Sequence, residues 1–343
     1  MIDYKTKLFS DSEPLWWDKQ VVEFNGSVFY SYSYIKYLEL CNKNNLIKNL
    51  SYVIMDNKKT LSLVIIFVEK IHDQLQMSIG EYSIQSPLIN NKIDVDQVNF
   101  VKGMIKNNIN NICKKYQCIL ARFQVSSLNI LANSDIYQNF YYKWGFTDKI
   151  LKNEWYSFQC KHSFIIDLKR KKEELRSSIR SSYKSCINKT EKNNIELHII
   201  NYKNLNLFEE YGRMHNKIKN NKRNSENLLF NLNLIKENKE TIFLCMKNKN
   251  IIGAIVILHF NNMAYYNSVF VNNNDNFLYP NHYLLWQAIM YFHSNNYNYF
   301  HIGDKIDENI TNVPQQHINL SFFKSGWGGQ EVSWQHAEKT YLI

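Results

Sequence analysis

The sequence predicts an α/β chain of two tandem mixed sheets, each flanked by helices, and three observations carry that expectation. An apolar run, a polar turn and a second apolar run occur twice, at 51–69 and at 241–260. Each occurrence leads through a further strand and an amphipathic helix into one more strand. A helix also precedes each. Strand pairs joined by helices bury one sheet face under helices, which is a layered α/β arrangement.

In the first half the elements run as follows. Residues 31–44 form a helix, and "SYVIMDNKKTLSLVIIFVE" (51–69) forms a hairpin about Asp-Asn-Lys-Lys. "LQMSIG" (75–80) is the third strand. Val98, Val101, Ile105, Ile109 and Ile112 recur at helical spacing in 96–115, and "CILARFQV" (118–125) closes the set. The boundary falls near 150–162, which divides the chain into 1–155 and 156–343. In the second half, 170–192 reads as one helix with an apolar line at Leu175, Ile179, Tyr183 and Ile187. Arg176, Arg180 and Lys184 run beside that line, a pattern that is ordinarily a solvated face. A helix at 204–219 precedes the hairpin "TIFLCMKNKNIIGAIVILHF", and "NMAYYNSVFV" (262–271) is the next strand. Leu284, Leu285, Ala288, Ile289 and Phe292 mark a helix at 281–295, and "YFHIGD" (299–304) is the last strand of the set. Identity between the halves is negligible, so what repeats is topology.

Composition narrows the function classes. Hydrophobic residues make up 45% and charged residues 21% of 343, too apolar for a disordered chain. The net charge of +10 favours anionic partners: nucleic acid, an anionic membrane surface or phosphorylated small molecules. No arginine-rich arm is present, so a diphosphate-bearing ligand explains the charge as well as a nucleic acid does. The six cysteines (Cys41, Cys113, Cys118, Cys160, Cys186, Cys245) include no C-x-x-C pair and no zinc spacing. They read as buried, reduced thiols, and no metal is expected. The opening residues lack an apolar signal core and the longest apolar runs fall short of a bilayer span, so a cytoplasmic location is expected.

Near the end of the chain, "SFFKSGWGG" (321–329) places three of the ten glycines around Trp327, just after Lys324. Glycine serves where the backbone needs unusual dihedrals or close approach. The segment reads either as a tight turn under an aromatic plug or as a cradle for a ligand.

With "FIIDLKRKKEELRSSIRSSYKSCINKTEKNNIELHII" (164–200), "LFEEYGRMHNKIKNNKRNSENLLFNL" (207–232), "YPNHYLLWQAIMYFHSNNYNYFHIGD" and "FFKSGWGG", the sequence resembles the Fem-type transferases. The match covers most of 160–335 and, more weakly, the first half. It implies a tandem GNAT fold and transfer of acyl groups to amines. The chain departs from the family twice. Only Asn220 to Asn224 separate the two helices that often carry a coiled-coil arm, and in His301-Ile302-Gly303-Asp304 the acid follows the glycine. An arm-less branch, the nucleotide-sugar N-acyltransferases of surface-polysaccharide pathways, fits this compactness better. The resemblance therefore implies an acyl-CoA co-substrate (acetyl-CoA or a 3-hydroxyacyl-CoA) and a nucleotide-linked amino sugar as acceptor. An aminoacyl-tRNA-dependent Fem transferase is the first alternative, and a non-catalytic nucleic-acid-binding protein is the second. The oligomeric state, a homodimer included, is left open.

That resemblance also assigns roles. The pantetheine arm would lie between strands 262–271 and 299–304, beside Phe270 and Val271. Its pyrophosphate would meet the following helix at Asn281, His282 and Tyr283, where free N–H groups and the helix dipole favour an anion. Asp304 and His301 are the candidate general bases. Lys324 would meet phosphate or the developing oxyanion. His215, Glu81, Tyr82, Gln85, Arg180 and Trp327 are candidate acceptor contacts. For His215 the competing reading is a half-buried histidine on an apolar helix face.

Overall fold

In the computed structural model the described residues are 4–57, 59–80, 83–132, 162–219, 225–306 and 313–341. The chain divides into two compact units, Met1–Lys161 with Asp307–Ile310 and Ser333–Ile343, and His162–Ile306 with Thr311–Val332.

The first unit contains β1 (Tyr4–Leu8), α1 (Pro14–Glu23), α2 (Tyr32–Cys41), β2 (Leu46–Asn49), β3 (Tyr52–Asp56), β4 (Lys59–Val64), β5 (Phe67–Ile71) and β6 (Gln74–Met77). Then come β7 (Ile84–Gln85), β8 (Leu88–Ile89), α3 (Val95–Tyr116), β9 (Leu120–Val125) and α4 (Ser127–Ala132), with the last strand of the chain, β17 (Gln335–Thr340). One sheet has the order β1-β3-β4-β8 and the other β17-β9-β6-β5-β2, with β7 also on β9. The apolar run 60–69, expected as one strand, is two. Ile65 and Ile66 break it, and Ser51 takes up the broken ladder by accepting from Ile66 N at 3.0 Å. β4 thereby stays with β3 while β5 turns to β6 in a second hairpin. The last strand joins this unit because β17 pairs with β9 from Gln335↔Val125 to Thr340↔Leu120. The helix expected at 96–115 is α3. It is capped by Asp94, whose side chain accepts from Gln97 N, and it buries Val101, Ile105 and Ile109.

The second unit holds β10 (His162–Asp167), α5 (Lys172–Ser178), α6 (Ser181–Glu191), β11 (Glu196–Ile200), α7 (Phe208–Lys219), α8 (Ser225–Lys236), β12 (Glu240–Lys247) and β13 (Asn250–Phe260). β14 (Met263–Val271), α9 (Pro280–Ser294), β15 (Tyr299–Lys305), α10 (Gln315–Ser325) and β16 (Gln330–Ser333) complete it. Its sheet runs β11-β12-β13-β14-β15-β10-β16. Hairpins close on pairs of left-handed residues, Asn248-Lys249 and Asn261-Asn262. Such turns match strand twist, and asparagine tolerates them, which gives part of the Asn-rich composition a structural role. One cluster of buried side chains gathers α9 with Leu175, Ile179, Tyr183, Ile187, Phe300 and Trp327. A second gathers Tyr211 of α7 with Ile242, Leu244, Val256 and Phe270.

The helix expected over 170–192 is broken. Ile179 and Arg180 are extended (ψ 140 and 137) and separate α5 from α6. Ser177 and Ser178 donate back to the Glu174 and Leu175 carbonyls, and Arg180 N donates to Gly326 O at 2.9 Å. The break still lets Leu175, Ile179, Tyr183 and Ile187 all reach the core. It also means that Arg176, Arg180 and Lys184 are not one helical stripe.

Candidate active site

β14 and β15 run parallel and pair only at Met263↔Tyr299, Ala264↔Phe300 and Tyr265↔His301. Beyond that point β14 follows β13 to Val271, while β15 follows β10 to Lys305. A register shift between Val256 and Ile257 and another between Phe164 and Ile165 accompany the parting. Bulges bend and twist a strand. The parting therefore leaves the far ends of β14 and β15 unpaired with each other.

A polar cluster stands on the β15 side of this opening. The His301 ring stacks on Tyr265 at 4.7 Å, and its Nε2 lies 3.9 Å from Asp304 Oδ1. Ser163, fully buried on β10 and registered with Asp304, donates its hydroxyl to the same Oδ1 at 2.7 Å. Lys324, from α10, donates through Nζ to the Asp304 carbonyl oxygen at 3.3 Å. Gly303 makes that approach feasible. Its φ is +126, and a Cβ built on it would lie 2.7 Å from both Nζ and Cε of Lys324.

Electrostatics set the state of His301. Burial pushes its pKa down to about 4, with the Asp304 carboxylate opposing and the Lys324 ammonium reinforcing the fall. The imidazole is neutral near pH 7, and its Nδ1 meets no hydrogen-bond partner among the described residues. A neutral ring, a carboxylate and an ammonium thus sit side by side where two strands part. That set can orient an amine, accept its proton and stabilise a developing oxyanion.

The structure brings His301, Asp304 and Lys324 together and adds Ser163, Tyr265 and Gly303, which the sequence reading missed. A signal for Gly303 was available, since a glycine inside the apolar strand "YFHIGD" marks a bulge or a close backbone approach. Ser163 and Tyr265 carry no such signal, because only register aligns them with β15.

The other expected residues go elsewhere. Glu81 and Tyr82 lie outside the described residues. Gln85 sits on β7 in the first unit, opposite Gln124, and its Oε1 is buried without a partner. His215 is buried, 6% exposed, and lies beside Tyr211 and Phe270 in the core rather than half-buried on a helix face. Phe270 is core, and Val271 ends β14 opposite Gly253. Arg180 does structural work: its guanidinium donates to Tyr183 Oη, Phe322 O and Ser325 Oγ and so ties down the C-terminal turn of α10. Trp327 is 1% exposed, packed with Tyr183, Phe323 and His282.

The glycines around Lys324 face other parts of the fold. A Cβ on Gly326 would fall on the Tyr183 ring, one on Gly328 would fall on Ser178, and one on Gly329 would lie 3.1 Å from Ile165 N. They let this segment pack against α5, α6 and β10, so the tight-turn reading holds for them while Gly303 serves the lysine.

The first turn of α9 is a limited anion site. Pro280 has no N–H, and the amides of His282 and Tyr283 turn back to the Tyr279 carbonyl at 3.1 and 3.3 Å. Only the Asn281 N–H lacks an acceptor among the described residues, while Asn281 Oδ1 accepts from Tyr266 Oη at 3.1 Å. The His282 ring packs against Tyr183 and Phe323, and burial pushes its pKa down to about 4. Tyr283 is a core residue. No cluster of three metal-ligating side chains occurs among the described residues, and no described helix is long and apolar enough to cross a membrane.

Among solved structures the chain is similar to FemX, at 9% identity over 98% of this chain and 97% of that one, with a TM-score of 0.71. A protein of unknown function from Bacteroides thetaiotaomicron matches at 13% identity over 99% and 100%, with a TM-score of 0.55. L-PGS from Bacillus licheniformis matches at 12% over 90% and 92%, with a TM-score of 0.54. No protein-family model matches the sequence, and no curated protein matches it. The likenesses establish the fold, two GNAT-like units in tandem, as the sequence resemblance implies. They carry nothing of the nucleotide-sugar branch.

Proposed function

We propose that this chain is an acyltransferase that passes an amino acid from an aminoacyl-tRNA to an amine of a peptidoglycan precursor. The observation that carries the reading is the meeting of Lys324, Asp304 and His301 where β14 and β15 part. In the step, the acceptor nitrogen attacks the ester carbonyl carbon and a C–N bond forms. Lys324 meets the oxyanion, the amine's proton passes to Asp304, and the C–O bond to the ribose breaks as that proton moves on to the ribose oxygen, which leaves as a hydroxyl. Burial keeps His301 neutral near pH 7, and it serves as a hydrogen-bonding group beside Asp304. The overall likeness to FemX supports an aminoacyl donor. So does the sparse first turn of α9, where a pyrophosphate would find one free amide.

A second reading keeps an acyl-CoA donor and a nucleotide-linked amino sugar as acceptor. The unpaired ends of β14 and β15 favour it, since an extended pantetheine arm could lie along them. Incubating the protein with radiolabelled aminoacyl-tRNA or with acyl-CoA, each with its acceptor, separates the two. Acyl transfer from the tRNA ester alone supports the first reading. Transfer from the thioester alone replaces it with the second, and transfer from neither sinks both.

A further inference from the structure

Residues 169–192, which span α5, α6 and the turn before them, contain nine basic and three acidic side chains, a net +6 of the chain's +10. Lys169, Lys171, Lys172, Lys189 and Lys192 are exposed. Among the described residues none of the nine pairs with a carboxylate, whereas Lys36, Arg122 and Lys305 elsewhere do. Four of the nine have neutral acceptors instead. Arg170 donates to the Gly328 and Glu174 carbonyls, Arg176 to Asn188 Oδ1, Lys184 to Ser177 O, and Arg180 to the end of α10.

Exposed apolar side chains flank α6 at both ends. At its start the Arg180 guanidinium lies 3.9 Å from the ring centroid of Phe322, which is 62% exposed on α10 together with Ile318 and Leu320. At its end Thr190 donates to the Leu278 carbonyl, and Lys189 lies over Tyr279. The turn held there, Asn273–Leu278, exposes Phe277 at 60%. Exposed lysines along 169–192, with exposed phenylalanines at both ends of α6, have the make-up of an interfacial membrane site, with cations for anionic headgroups and rings that enter the acyl boundary.

We infer that α5, α6 and the outer face of α10 dock this protein on an anionic lipid bilayer. RNA is the competing polyanion, and two features favour lipid. The aliphatic Ile318, four residues before Phe322 on the same face of α10, has no use on a phosphate backbone. The exposed cations are all lysines, hydrated point charges suited to a diffuse negative surface, while the three arginines that could fork onto phosphate are bonded within the fold. This inference does not rest on the donor or the acceptor proposed above.

The test is co-sedimentation of the full chain with phosphatidylcholine vesicles with and without phosphatidylglycerol, at low and high salt. The protein should pellet with the phosphatidylglycerol vesicles alone and be released by salt. Combining Lys171→Glu, Lys172→Glu, Lys189→Glu and Lys192→Glu should lower the partition coefficient at least about 10-fold. Phe277→Ser with Phe322→Ser should lower it at unchanged charge, with melting temperature showing that each variant is folded. Equal binding to both vesicle types, or none, overturns the inference. So does release of the protein from phosphatidylglycerol vesicles by a tRNA whose own binding the phenylalanine variant leaves intact, since that assigns the surface to RNA. The salt and lipid dependence of the unmodified protein decides the matter even if a variant fails to fold.

Discussion

Lys324 crosses directly over Gly303: the space that a Cβ on Gly303 would occupy lies 2.7 Å from the lysine Nζ. The pair is an argument about function as much as packing. A glycine at φ +126 costs the folded chain backbone entropy, and here it returns an ammonium placed beside Asp304 and His301.

Gly303→Ala should therefore expel the lysine and strain the backbone. We expect at least about a 10-fold loss of kcat and a stability cost of about 1–2 kcal/mol. Adding Lys324→Met should cost little further activity, because both changes remove one arrangement. Steady-state kinetics on the two single variants and the double variant check this; additive losses would show that the residues act separately.

Ser163→Ala removes the hydroxyl that holds Asp304 Oδ1 at 2.7 Å. A hydrogen bond to a charged group contributes about 1.5–3 kcal/mol, so kcat/KM should fall about 10-fold or more. Ser163→Thr should restore much of it. Unchanged kinetics in the alanine variant would remove Ser163 from the site.

The histidines make stability depend on pH with a definite sign. Burial pushes His301 down to about 4 and His259 to about 3, against about 6.5 in the unfolded chain. Below pH 6.5 the unfolded state takes up protons that the folded state refuses. Stability should fall as pH drops from about 6.5 towards 4, His301 contributing at most about 3 kcal/mol of that loss. Denaturant midpoints across this range should fall less steeply for His301→Asn; an equal slope would place a charged His301 in the folded protein.

Gly326→Ala should act on stability alone. Its Cβ would strike the Tyr183 ring, which also accepts close contacts from Trp327 and Phe323. Overpacking of this kind costs about 1–3 kcal/mol. A lower melting temperature with per-molecule kcat nearly unchanged is expected, and a selective loss of kcat would return Gly326 to the site.

Periodicity and turn chemistry made most of the second unit legible, because Leu284 to Phe292 and the two apolar runs around Asn248 are long and regular. The break at Ile179 and Arg180 was hidden: Leu175, Ile179, Tyr183 and Ile187 keep helical spacing on both sides of it, and the Gly326 carbonyl that accepts from Arg180 lies far along the chain. The split of 60–69 was hidden for a similar reason, since Ile65 and Ile66 are as apolar as the strands they separate. At the site, Asp304, His301 and Lys324 could be read from their motifs. Ser163 and Tyr265 reach it only through sheet register, and the glycines of "SGWGG" signalled close packing whose partner was a tyrosine rather than a ligand.

The central claim is that Lys324 stabilises the oxyanion of an acyl transfer. Single-turnover kinetics of Lys324→Met with aminoacyl-tRNA and a peptidoglycan precursor tests it most directly, since methionine keeps the stem over Gly303 and removes only the charge. The account predicts a fall in the rate of transfer of about 10²–10³-fold, with melting temperature unchanged. Transfer at the wild-type rate by a folded Lys324→Met protein would contradict it.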